Sequence, residues 1–547
     1  MSKIRSMRNI VITGLGLLSF SFFAKAQRTD TTLKGTTVEV IQSYKPEVRQ
    51  APKPIANPEL PPRDTSRPRF EYEVPQQTLY YTYSALPLRP LALGKDTSKL
   101  PFPSYVKLGV GNFSTKYLDA GIANFKGADY ETAIHLHHLS QTGNIKNQKI
   151  SLSGIEAEGI LRRQYDHTWK FSLEGLRNQY HYFGYDHILY DFSRDSVKQT
   201  FTGVNLGVGL SNDKSNKYGV DYTPNFLFSV YKDDYKTTET SFLFDLPITK
   251  QINQSWQLIA GLTGAITTQN FDGNKRSNNI FKLTPALKYY AGNFSGRFGL
   301  FPAISSINSD FFFLPDIDLR YKLPNTKYVL NAGVRSSIRQ NTYKELSGFN
   351  PYILNLYGLR HTRTYEVFGE VQTSIGEHVT VSGGVGWWQF NDLPMFLNDS
   401  TDRKNFIIVY DEKVNAALLQ ATVRYQVANT LNVGLSAKFI NYYKKSYDRV
   451  WHEPGVNLKG ELRYNMLKKL SITGYATILD RIYAINEAGQ EIKLDGVFDI
   501  GGGAEYEFIS RLSGFLNINN LLNDRYQRWN AYESFGFNIY AGVRFKF

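Results

Sequence analysis

His135 and His137 stand two residues apart on a run of alternating apolar and polar residues, with His138 beside them. On a strand that spacing puts both rings on one face, where paired imidazoles could bind zinc or copper. No third ligand is identifiable from the sequence, so these positions read as polar lumen or rim residues and no metal is assigned. Asp392, Asp399 and Asp402 crowd one connection that could hold calcium, but the glycine and glutamate of a known calcium loop are missing, and solvated acids are the simpler reading. Arg424, Lys438, Lys459, Arg463, Arg544 and Lys546 fall on the polar parity of candidate strands, with Glu461 among them. Such a set makes a cationic interior that attracts anionic solutes, unless acids elsewhere on the wall or on the amino-terminal segment pair with it. No G-x-S-x-G elbow and no H-E-x-x-H motif occurs, so neither an enzyme nor a cofactor is expected.

Strands must carry these residues, and alternating runs recur through the chain after residue 103. Val456, Leu458, Gly460, Leu462 and Tyr464 alternate with Asn457, Lys459, Glu461 and Arg463. Leu431, Val433, Leu435, Ala437 and Phe439 alternate with Asn432, Gly434, Ser436 and Lys438. Leu419, Ala421, Val423 and Tyr425 do the same with Gln420, Thr422, Arg424 and Gln426. A period of two gives each strand one apolar and one polar face. A charge in mid-strand would be costly against lipid, which assigns the apolar face to a membrane and the charged face to a lumen. A soluble sandwich would bury the apolar faces instead, but closure into a barrel also removes the exposed edges that so many strands would leave. No later run reaches eighteen consecutive apolar residues, so strands rather than helices must do any crossing. The 37 tyrosines and 36 phenylalanines suit aromatic girdles at two membrane interfaces.

The amino-terminal region differs. Residues 1–26 read as a signal peptide: Lys3, Arg5 and Arg8 precede an apolar core from Ile10 to Phe23, and Ala24-Lys25-Ala26 fits a small-x-small cleavage site. With no cysteine, neither disulfides nor a lipoprotein anchor are available. The formal charge of +14 includes four positive charges in those 26 residues, which leaves the mature chain near +10. No basic cluster sits within a nucleic-acid-binding motif, so a cationic lumen or contacts with envelope-lipid phosphates explain the charge better than nucleic acid. Residues 27–103 hold twelve of the 21 prolines, a density that gives an extended segment, periplasmic or threaded into a lumen, rather than a domain. Within it, Val38-Glu39-Val40-Ile41 could add as a strand to a partner's sheet edge, and the apolar stretch Tyr80 to Leu91 could pack against a barrel wall.

The last strand is the most regular. Phe535, Phe537, Ile539, Ala541, Val543, Phe545 and Phe547 share one parity, opposite Gly536, Asn538, Tyr540, Gly542, Arg544 and Lys546. Its aromatic carboxy-terminus resembles the terminal signal read by barrel-assembly machinery, with Tyr540, Gly542, Phe545 and Phe547 at matching positions. Counting back from Phe547, short turns at Ile509-Ser510, Leu467-Lys468, Ala428-Asn429, Gly376-Glu377, Pro324-Asn325, Gly292-Asn293, Asn253-Gln254, Lys214-Ser215, Asp166-His167 and Gly127-Ala128 alternate with longer connections such as 183–199, 340–362, 391–413, 444–453 and 520–533. The expected fold class is therefore all-β: a transmembrane antiparallel β-barrel over 104–547 with about 22 strands, 16 to 22 being compatible with the pattern. Pro224, Pro247, Pro285, Pro302 and Pro315 fall in or near five consecutive candidate strands, where bulges, early strand ends or an irregular wall are expected.

The last 200 residues resemble the carboxy-terminal barrel of TonB-dependent receptors. Asn350-Pro351-Tyr352 followed by Thr364-Tyr365-Glu366 is similar to that family's NP…YE pattern, and Asn519-Asn520-Leu521-Leu522-Asn523-Asp524-Arg525-Tyr526 to its penultimate hairpin motif. The resemblance implies a 22-stranded barrel in the outer membrane that receives a ligand or transports a solute. The family's plug domain has no counterpart of the usual size in 27–103, which raises the alternative of a non-transporting barrel subunit in an outer-membrane assembly or secretion complex. Expected partners are outer-membrane lipids, the barrel-assembly machinery, and a periplasmic or outer-membrane protein. A barrel this wide must be blocked, and the expected blocks are the 27–103 segment in the lumen, inward collapse of strands, or another protein.

Overall fold

The computed structural model describes residues 104–547 apart from 128, 164–166, 213–215, 217, 308–309, 355–357, 444 and 467–468. The signal peptide, the proline-rich segment and Val38–Ile41 lie outside the described residues. Alternation along nearly every segment closes the chain into one antiparallel sheet of 24 strand segments. Val220–Tyr222 and Asn225–Lys232 both pair with Thr237–Gln251, and Asn274–Leu283 and Ala286–Ala291 both pair with Trp256–Phe271. Each of those two pairs is one interrupted strand, so the barrel has 22. Tyr105–Gly111 pairs with Asn538–Lys546 and closes it, with Lys107 opposite Arg544.

The interruptions fall at Pro224 and Pro285, where the missing N–H ends a run of ladder bonds. Pro247, Pro302 and Pro315 instead stay within strands, opposite Gly261, Phe313 and Leu300. The carbonyls remain useful acceptors, since Thr223 N–H donates to Pro247 O and Leu210 N–H to Pro224 O. The proline-rich wall is thus notched at two places rather than irregular at five.

Six of the ten short turns read from the sequence are described in full, and all six lie at one rim. Two of them use glycine in the left-handed region, Gly292 (φ 55°) and Gly376 (φ 63°). Exposed apolar residues, among them Leu435, Phe439, Val385, Leu462 and Val543, occupy one parity of each strand and form the outer belt. Near the short-turn rim, exposed Phe125, Tyr130, Trp256, Tyr328, Tyr506 and Phe547 form an aromatic girdle. No helix among the described residues is long and apolar enough to cross a membrane. A closed barrel with such a belt satisfies its backbone internally and sits in lipid: the protein is an outer-membrane β-barrel.

The opposite rim carries the long connections, and several have structure of their own. One holds the helix Tyr343–Phe349, capped by Thr342, whose hydroxyl accepts the Glu345 N–H at 3.1 Å. Others hold the hairpins Leu393–Asn398 with Phe406–Asp411 and Tyr483–Ile485 with Glu491–Lys493.

Candidate functional site in the lumen and its cap

The long connections meet one another. Phe183, Tyr343, Leu346, Ile353, Phe396, Phe406, Trp529 and Tyr532 come from four of them and form one buried cluster with Phe201 and Tyr231 of the wall. Tyr352 stacks on Tyr532 with ring centroids 3.7 Å apart, and Phe183 meets Tyr532 edge-on at 4.8 Å. Trp529 touches the rings of Phe349, Phe396, Phe406 and His452. A second cluster joins Leu393, Met395, Val414, Val450 and Trp451. These connections form a packed cap at the long-loop rim, while the 27–103 segment expected in the lumen lies outside the described residues.

Polar contacts fix the cap as specifically as its rings do. His452 is fully buried; its Nδ1 donates to Phe396 O at 2.7 Å and its Nε2 accepts the Asn530 N–H at 3.3 Å. That pair of bonds requires the neutral ring, and burial takes its pKa down to about 3. Arg528 donates to His452 O at 2.5 Å and lies over the Trp529 ring at 4.4 Å. Burial lowers the Arg528 pKa and raises that of Glu453, and the attraction between the two opposes both shifts. The helix Tyr343–Phe349 is tied to the wall: Glu239 accepts the Tyr343 N–H at 2.6 Å, and Lys344 reaches Asn205 at 2.6 Å.

Beside this helix lies a cavity of about 870 Å³. Leu227, Leu243 and Ile280 give it apolar walls, and Lys170, Asp245 and Arg339 give it charge. Its size and mixture suit a small-molecule site.

The cations singled out in the sequence divide into three groups. Arg544 pairs with Glu505 at 3.2 Å and Lys546 with Glu507 at 2.6 Å. Lys438 lies 4.9 Å over the Trp388 ring. Arg424, Lys459 and Arg463 have no ion pair among the described residues, although Arg424 and Glu461 both register opposite Gly434 on the strand between them. Of the terminal residues, Phe545 and Phe547 are exposed and stacked at 6.2 Å, Tyr540 packs on Tyr117 at 5.2 Å, and Gly542 registers opposite Gly109.

The three loop aspartates do not share a site: Arg360 donates to Asp392 at 2.9 Å and Lys404 bonds Asp402, while the Asp399 backbone N–H donates to Asn405 O. His138 faces away from His135 and His137 and bonds Ser153 at 2.8 Å. Sequence reasoning missed Glu156, which registers directly opposite His135, and Asp119, which registers opposite His137. For Glu156 the hairpin turn at 143–148 carried the signal, because its centre fixes which residues face each other. The cap was missed too, and its sign was the density of aromatics in connections that are usually polar.

The motifs behind the family resemblance serve local structure. Asn350 caps the helix and is fully buried, and Tyr352 enters the cap. Asn520 Nδ2 donates to Asp524 O at 2.7 Å, and Tyr526 donates to Asp499 at 3.1 Å, which shapes the connection that delivers Trp529.

No protein-family model matches the chain, and no curated protein matches it. Solved structures do. The FrpB iron transporter from Neisseria meningitidis (F3-3 variant) superposes with a TM-score of 0.64 at 10% identity, over 82% of this chain and 81% of that one. The siderophore receptor PirA from Acinetobacter baumannii gives 0.63 at 10% identity, over 81% and 80%. The pyoverdine outer membrane receptor FpvA from Pseudomonas aeruginosa PAO1, bound to pyoverdine, gives 0.62 at 11%, over 82% and 78%. The barrel therefore has the fold of outer-membrane receptors and transporters.

Proposed function

We propose that the chain is an outer-membrane receptor that captures a solute at its long-loop rim and admits it to the lumen when the cap loosens. The observation that carries this reading is the cap itself, packed over a barrel of receptor fold with a cavity of about 870 Å³ beside the helix. Arg424, Lys459 and Arg463 would line the route and favour an anionic solute. The neighbours' iron, siderophore and pyoverdine ligands make a metal chelate a reasonable class. Barrel-assembly machinery would read the terminal strand through Tyr540, Gly542, Phe545 and Phe547, lipids would cover the belt, and Val38–Ile41 would offer a strand to a periplasmic partner.

A second reading also has support. The large side chains of the cap's central cluster are almost wholly buried, as expected of a barrel closed permanently and used as a subunit of an envelope assembly. Conductance in planar bilayers separates the two, with mature protein compared to a form lacking residues 27–103 and to a cap variant. Reception predicts a closed mature protein and steady channels once the cap is loosened or the segment removed. If every form stays closed, the structural role leads.

A further inference from the structure

One cluster of ligating side chains has no part in the cap or the cavity beside the helix. His135 and His137 share one face of the strand Tyr130–Thr142, and Glu156 sits across from His135 on Lys149–Arg163. One ligand atom from each of the three lies within 4.8 Å of the other two. The two imidazoles are tilted by 32° with centroids 5.8 Å apart. Gly154 faces His137 across the ladder, and a Cβ there would collide with the imidazole, so the ring's position depends on a residue without a side chain. Exposure of 37% at His135 and 52% at Glu156 leaves the cluster open to an ion from water.

The hydrogen bonds assign the two nitrogens of His135 different roles. Its Nε2 lies 3.0 Å from Asp119 Oδ2, and the other Asp119 oxygen accepts the Tyr105 hydroxyl at 2.6 Å. A carboxylate only accepts, so in the neutral ring Nε2 carries the proton and Nδ1 keeps its lone pair. That Nδ1 is 3.9 Å from Glu156 Oε2, too long for a hydrogen bond. Two ligands that each bind zinc at its usual distance are separated by about 3.4 Å across a tetrahedral edge, so the gap suits an ion between them. A carboxylate behind a ligating imidazole is the usual outer-shell arrangement, since it fixes the ring and raises its basicity.

We propose that His135, His137 and Glu156 bind one first-row divalent transition-metal ion in the barrel wall, with Asp119 positioning His135. Two imidazoles and one carboxylate select zinc-like ions over calcium or magnesium, which prefer all-oxygen shells. Three protein ligands leave a fourth position open towards the lumen, where water or a donor atom of a passing solute binds. The site belongs to the wall, and its occupancy does not depend on whether the barrel transports anything.

The test uses the full chain without a polyhistidine tag, metal-stripped in detergent, with Zn²⁺ titrated against a chromogenic chelator and Co²⁺ followed by its visible absorption. Residues 27–103 contain neither histidine nor cysteine, so they add no competing imidazole or thiolate. One equivalent of Zn²⁺ is expected, weakened at least about tenfold by His137→Ala and by Glu156→Gln. Asp119→Asn should weaken binding about tenfold while keeping the Co²⁺ spectrum, the mark of a positioning residue. His138→Ala, on the opposite face, should bind as the parent does. The His135→Ala/His137→Ala double variant controls for folding through its heat-modifiable migration. If that folded double variant binds Zn²⁺ with unchanged stoichiometry and affinity, or if the parent binds none, the assignment is wrong.

Discussion

The cap and the wall below it solve opposite problems with the same residue types. In the cap, aromatic rings from distant connections exclude water, and key buried polar groups are held by specific partners: His452 between Phe396 and Asn530, Arg528 on His452 O. In the wall, side chains hang from a ladder whose own backbone bonds already hold it together, and several charges stay wet. Removing one group should therefore be costly in the cap and cheap in the wall. The cap's stability is concentrated in few residues, whereas the barrel's is spread over 22 strands.

The largest test of that contrast is Trp529→Ala. The ring is 6% exposed and contacts four other rings, so its loss should cost the cap about 3–5 kcal/mol while the barrel stays folded. Hydrogen exchange should quicken in 343–353, 393–411 and 526–533, with heat-modifiable migration unchanged. Equal loosening of strand amides would show that cap and barrel fold as one unit. Arg528→Ala comes next. It removes a charged hydrogen bond to His452 O and the cation over Trp529, for about 1.5–3 kcal/mol. Exchange in 446–455 reads it directly.

Acid should loosen the cap by a comparable amount. His452 titrates near 6.5 when exposed and near 3 when buried, so its contribution is complete above pH 6.5 and is lost progressively as pH falls towards 3. The opened cap binds a proton that the closed one does not, which at pH 5 amounts to about 2 kcal/mol. Glu453 acts in the other direction: its raised pKa stabilises the closed state at low pH, and that contribution is lost as pH rises through the folded value. His452→Gln isolates the first effect. Protease sensitivity of the loops should increase between pH 7 and 5 in the parent and change much less in the variant. A parent whose change over that range matches that of His452→Gln would mean that His452 is not sealed off from water.

The same contrast explains what could be read in the sequence. Strand periodicity is local, so the run ending at Phe547, the six short turns described in full and the strand number were all legible. Pro224 and Pro285 were recognisable as breaks, but Pro247, Pro302 and Pro315 were not separable from them, because tolerance depends on which carbonyls and N–H groups the neighbours offer. The cap was opaque because its contacts carry no period: Tyr352 and Tyr532 lie in connections far apart in sequence and meet only after the barrel closes. Glu156 falls between these cases. It faces His135 by hairpin geometry alone, and pairing residues about the turn at 143–148 would have found it.

The smallest effects belong to the wall charges. Arg544 and Glu505 are partly exposed and 3.2 Å apart, and Lys107 lies 3.5 Å from the same carboxylate, so Arg544→Ala should cost under about 1 kcal/mol and leave the melting of the barrel almost unmoved. Arg424, Lys459 and Arg463, with no ion pair among the described residues, should matter even less to stability and more to the field in the lumen. In a barrel opened by Trp529→Ala, changing these three to Gln should move the reversal potential in a KCl gradient towards cation preference. The shift should shrink as salt rises, because screening shortens the reach of each charge. A reversal potential that ignores all three substitutions would place the ion path elsewhere and remove the case for an anionic solute, while the packing of the cap would be untouched by that result.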